Sequence, residues 1–158
     1  MIEIMKRIIL FFLFFVSFIC QAQDNIVQGP FSLDKNITIS FVKEINKSIS
    51  LVEKYGRNRK VIDNYNVYDG VPEIKTVFFI FVDKVKNAAV LVSWNEENIS
   101  AIRYKVFFYR YDRGELVINR RLTNDENLSG YDGYGSSGLI FDYKDADSIR
   151  KYIKEKYE

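Results

Sequence analysis

Thr76-Val-Phe-Phe-Ile-Phe-Val82, Ala88-Ala-Val-Leu-Val-Ser-Trp94 and Tyr104-Lys-Val-Phe-Phe-Tyr-Arg-Tyr111 are three apolar runs, rich in β-branched and aromatic residues, separated by short polar breaks. That composition suits pleated strands, and connections this short suit antiparallel neighbours. Asp83-Lys-Val-Lys-Asn87 and Asn95-Glu-Glu-Asn98 read as turns. Asp112-Arg-Gly114 reads as a tight turn into a further strand, Glu115 to Arg121. Together these segments predict a meander. Side chains alternate across a strand, so Tyr104, Val106 and Phe108 fall on one face and Phe107, Tyr109 and Tyr111 on the other. A strand apolar on both faces is either covered twice or keeps one face for a partner.

Upstream, Ile37, Ile39 and Phe41 alternate with Thr38 and Ser40, a strand pattern. Val42, Ile45, Ile49 and Val52 then recur at three- and four-residue steps. This predicts an amphipathic helix, with Ser40 as N-cap and Gly56 as C-cap. Val61 to Tyr68 reads as one short strand, closed by Asp69-Gly70 and by Pro72. Downstream, 123–138 is weakly patterned, Leu139 to Tyr143 reads as a last strand, and Asp145 or Asp147 can cap a terminal helix. Ala146, Ile149, Ile153 and Tyr157 share one face of that helix. The expected fold class is α+β. An antiparallel β-meander of about five strands carries one N-terminal and one C-terminal helix packed on it, within one domain over 23–158.

The first 22 residues read as a signal peptide. Lys6 and Arg7 precede an apolar run from Ile8 to Ile19, and Cys20-Gln-Ala22 places small residues at −3 and −1. A bilayer span needs about 20 residues, more than this run supplies, and no second such run follows. A retained anchor and acylation of Cys20 are the alternatives to cleavage; Ile19 is a poor residue before a lipidated cysteine. Cleavage before Gln23 leaves 136 residues, with 21 basic and 20 acidic side chains. The expected location is the periplasm or outside the cell, with no integral span in the mature chain. A near-neutral balance offers no field to recruit nucleic acid.

The mature chain would contain neither His nor Cys. This removes Ser-His-Asp and Cys-His catalysis and nearly all zinc chemistry, so no metal and no cofactor is expected. Ser32 and Lys35 have the spacing of a Ser-Lys dyad but lie in extended-looking sequence. Paired carboxylates remain, from Glu96, Glu97, Asp112, Asp125, Asp132 and Asp142; all but Asp142 fall in expected turns.

Two segments are candidate binding sites. The glycine-rich stretch 130–138 could present Tyr131, Asp132, Tyr134 and Ser136 to a ligand. The basic–aromatic strand could present Tyr104, Tyr109, Arg110 and Tyr111, interleaved with Arg103, Lys105 and Arg113, with further basic clusters at Arg57, Arg59 and Lys60 and at Arg120 and Arg121. The expected function is that of a small secreted bacterial binding or inhibitor protein, with another protein as partner. By analogy with other small exported proteins, an immunity protein neutralising an envelope-acting toxin is the favoured form. The alternatives are a carboxylate-dependent glycan-active enzyme and a surface or colonisation factor.

Overall fold

The computed structural model describes residues 25–133, 138 and 140–157. The signal-peptide reading of 1–22, including Cys20, and the candidates Tyr134 and Ser136 lie outside the described residues.

Two antiparallel sheets are present. The first joins β1 (Ile26–Asp34), β2 (Ile37–Lys43), β3 (Ile49–Tyr55) and β4 (Asn58–Tyr65) in chain order. The second contains the expected meander: β5 (Pro72–Val82), β6 (Val85–Glu96), β7 (Ala101–Asp112) and β8 (Glu115–Ile118). A fifth strand, β9 (Ser129–Gly133), pairs with Ala101–Lys105 of β7, on the strand whose far end, Tyr109–Asp112, pairs with β8. A four-residue helix, α1 (Arg120–Thr123), lies between β8 and β9. There Thr123 Oγ1 accepts the Phe108 amide at 2.9 Å, giving a β7 backbone group a side-chain partner between the β8 and β9 ladders. The terminal helix, α2 (Ala146–Tyr157), starts where Asp145 Oδ1 accepts the Ser148 amide at 2.8 Å, which selects Asp145 as the cap.

The chain is thus α+β, but the fold differs from expectation in several places, among them the strand expected over Glu115 to Arg121, which ends at Ile118 and gives way to the helix at Arg120. Among the described residues there are nine strands in two sheets, not about five in one meander. The expected N-terminal helix is the β2–β3 hairpin. Ile45 stands fully exposed at its turn, Lys47 adopts φ 68°, and Glu44 N donates to Ser48 O at 2.9 Å. The apparent helical spacing came from counting across a turn. On either side of it the inward residues keep a two-residue period, Ile37, Ile39 and Phe41, then Ile49 and Leu51. Gly56, at φ 56°, serves the β3–β4 turn instead of capping a helix. The short strand expected at Val61–Tyr68 runs from Asn58 and stops at Tyr65. The expected strand at Leu139–Tyr143 reduces, among the described residues, to one parallel bridge from Ile140 to Tyr131.

The layers explain why the second sheet is apolar throughout. Ile39, Phe41, Leu51 and Tyr65 of the first sheet pack on Val90, Val92, Trp94 and Tyr109 of the second. On its other face, Ala89, Leu91, Val106 and Phe108 pack on Leu122, Phe141, Ile149 and Ile153. Residues 88–92 of β6 are fully buried because they lie between a sheet and a helix. The alternation expected in β7 holds: Tyr104, Val106 and Phe108 face α2, while Phe107, Tyr109 and Tyr111 face the first sheet.

Candidate functional site

The odd-numbered residues of β7 lie on one face, and that face changes character along the strand. Tyr109 and Phe107 pack beneath the first sheet, whereas Lys105 and Arg103 continue the row towards its margin. There β4 ends, and residues 66–71 cross to β5 without regular structure. A cleft of about 420 Å³ results. One wall is Asn64, Tyr65, Asn66 and Tyr68. The opposite side is Trp94, Arg103, Lys105 and Phe107, joined by Ser129, Gly130 and Tyr131 of β9.

Arg103 is held in this cleft by two rings and an acid. Its guanidinium carbon lies 4.4 Å from the Tyr68 ring centroid and 4.6 Å from that of Trp94. Its Nε lies 3.3 Å from the carboxylate of Glu96, which is buried behind it. Ring contacts and the Nε contact leave the terminal nitrogens as the remaining hydrogen-bonding edge. Lys105 stands over the Phe107 ring at 5.2 Å and has no ion pair among the described residues. Among the described residues no Asp or Glu lines the cleft.

The wall is held by backbone and ring contacts. Trp94 Nε1 donates to Asn66 O at 2.9 Å. Gly70 lies so close to β6 that an added Cβ would sit 2.2 Å from Asn95 O. Behind Tyr65 lies a buried chain of hydroxyls. Tyr109 donates to Asp63 Oδ2 at 2.8 Å, so Tyr65 donates to the Tyr109 oxygen, also at 2.8 Å. Burial pushes both phenols well above their usual range, so both stay neutral donors.

The residues proposed from sequence are dispersed. Tyr131 lies in the cleft, on the same face as its cross-strand partner Arg103. Asp132 is instead tied to Lys144 Nζ at 2.6 Å. Tyr104 borders the cleft, but its ring stacks on Phe141 at 5.1 Å. Tyr109 is fully buried, Tyr111 donates to Asp34 at 2.9 Å, and Arg110 is exposed beside a second hollow of about 270 Å³ that shares no residue with the first. Both faces of the second sheet are covered, so these four residues do not form one open surface.

Trp94, Tyr68, Asn64 and Asn66 were missed from sequence. The available signal was the change from aromatic to basic at Phe107, Lys105 and Arg103, a two-residue period that runs past the edge of the core.

Among the carboxylates named from sequence, Glu96 pairs with Arg103 and Asp132 with Lys144. Asp125 binds Lys156, Tyr152 and Tyr157. Among the described residues no group of three or more His, Cys, Asp or Glu is placed to hold a metal ion. Nor is any helix there long and apolar enough to cross a membrane. No protein-family model, curated protein or solved structure matches this chain.

Proposed function

We propose that this chain is an exported bacterial binding protein of the inhibitor type, and that it engages a partner protein through the cleft between β4, β7 and β9. An immunity protein against an envelope-acting toxin is the form this reading takes. The observation that carries it is Arg103, packed against both Tyr68 and Trp94 with Lys105 beside it and no carboxylate on the lining among the described residues. Tyr, Trp and Arg are the residue types that most often anchor protein interfaces, and a preorganised guanidinium loses little entropy on binding. The amino-terminal pattern of Lys6, Arg7 and the following apolar run supports export. The enzyme reading draws no comparable support, because among the described residues the acids it needs are not on the cleft wall.

The test is co-expression of the full chain with envelope-acting toxins from neighbouring strains, scoring survival and capture of the toxin. Protection that is lost in the Arg103→Ala, Lys105→Ala double variant, with its circular dichroism unchanged, supports the reading. Protection and capture that survive in that variant place the interface elsewhere. Release of sugars from a glycan by the purified chain would restore the enzyme reading.

A further inference from the structure

Resting on the cleft reading above, we infer a finer point: the partner enters as an extended acidic segment whose two carboxylates stand two residues apart, one for Arg103 and one for Lys105. The argument is one of matching periods. Arg103 and Lys105 are successive same-face residues of a regular strand, so their Cα atoms lie roughly 7 Å apart. An extended peptide repeats its own same-face side chains at the same step, so Glu-x-Glu or Asp-x-Asp meets both cations at once. A helical segment places its neighbouring side chains three or four residues apart and meets them in a different register.

The chemistry of each position agrees. Tyr68 and Trp94, packed edge to face on each other at 6.0 Å, both contact the Arg103 guanidinium, and Glu96 meets its Nε, so the terminal nitrogens remain for an incoming carboxylate. That edge suits a bidentate contact. Lys105 is a point charge without an ion pair among the described residues, and it accepts a carboxylate from a wider range of directions. Asn66 lines the same space and can serve the peptide backbone, whereas Asn64 beside it spends its amide nitrogen on the Ser48 and Ser50 hydroxyls. Glu96 is committed to Arg103 and buried, so it does not point a competing charge into the cleft.

Trp94 makes the test direct, because it is the chain's sole tryptophan and Arg103 lies on its ring. Its emission is followed while the full chain is titrated with three capped decapeptides in a Thr/Val-rich background. The first carries Glu-x-Glu, the second Gln-x-Gln, and the third two Glu residues three apart. The Glu-x-Glu peptide is expected to bind at least tenfold more tightly than either control. Its affinity should fall at least tenfold in Arg103→Lys, which keeps a positive charge but loses the fork, and in Lys105→Gln. Equal affinity for the three peptides, or none for any, overturns the inference. Saturation by oligogalacturonate without peptide binding overturns it too and marks a glycan site. The two proposals fail separately. Toxin protection that needs Arg103 and Lys105, with no peptide binding, sinks only the acidic-segment inference. Peptide binding with protection indifferent to both residues sinks only the inhibitor reading.

Discussion

Lys156 Nζ lies 3.0 Å from each carboxylate oxygen of Asp125 and so fastens the last turn of α2 to the segment before β9. Tyr152 and Tyr157 donate to the same carboxylate at 2.8 and 2.9 Å, and the Asn127 amide at 3.2 Å. The Asp125 side chain is 2% exposed. One acid therefore collects donors from the helix and from the turn it packs on.

Replacing this carboxylate should loosen the helix. Burial alone would push the Asp125 pKa up, but the bonds from Lys156, Tyr152, Tyr157 and Asn127 outweigh it and hold the group below its ordinary value. A depressed native pKa means the unfolded chain takes up the proton first. The contribution is therefore complete above about pH 4, the ordinary Asp range, and is lost as pH falls below it. Asp125→Asn should lower stability by about 2 kcal/mol at pH 7, a value set by charged hydrogen bonds, one of them to a half-exposed lysine. Urea unfolding at pH 7 and pH 3 checks both parts: the loss between the two pH values should be smaller in the variant than in the parent.

Glycine 70 should be the least replaceable turn residue. A Cβ there meets the Asn95 backbone at 2.2 Å, so Gly70→Ala must displace the cleft wall. Gly114→Ala is the control: Gly114 has φ +82° but nothing within 4 Å of an added Cβ. It should cost about 1 kcal/mol of backbone strain, and Gly70→Ala more. Only Gly70→Ala should alter Trp94 emission, because Trp94 Nε1 binds Asn66 of the same connection.

The buried hydroxyl chain should respond unequally. Tyr109→Phe removes the donor to Asp63 and the acceptor for Tyr65 together. Tyr65→Phe removes only a donor. Unpaired buried polar groups cost about 1–3 kcal/mol, so Tyr109→Phe should be the more destabilising change in urea unfolding. The double variant should then cost less than the sum of the two, since both remove the same bond.

Ile45→Lys distinguishes the hairpin from the helix that its spacing suggested. Ile45 stands at the β2–β3 turn, fully exposed, so the change should move stability by no more than about 0.5 kcal/mol. Ile49→Ala, in the core between the sheets, should cost about 2–4 kcal/mol. A large loss from Ile45→Lys in thermal or urea unfolding would contradict the hairpin.

Legibility followed the strength of local pattern. In β5, β6 and β7 the runs are long and the turns between them polar, and the strand positions and the facing of Tyr104 and Tyr109 were readable in advance. The amphipathic α2 was equally plain, with its cap narrowed to Asp145 or Asp147. From Phe41 to Val52 the apolar residues satisfied both periods, and a turn carrying an exposed isoleucine looked like the middle of a helix. Of the site, Tyr131 was named as a binding residue, and Arg103 and Lys105 were flagged only as part of a basic face. Tyr68, Trp94 and the two asparagines come from other elements, and no local pattern joins them.

Local chemistry alone determined the antiparallel meander, the terminal helix and the absence of His from the whole chain. These follow from alternation, capping and composition, which act over a few residues. Tertiary structure decided that the amino-terminal strands form a separate sheet, and that this sheet leaves Arg103 and Lys105 at its margin with Tyr68 and Trp94 around the guanidinium. Those outcomes depend on which surface covers which, and covering is set by contacts between residues distant in sequence.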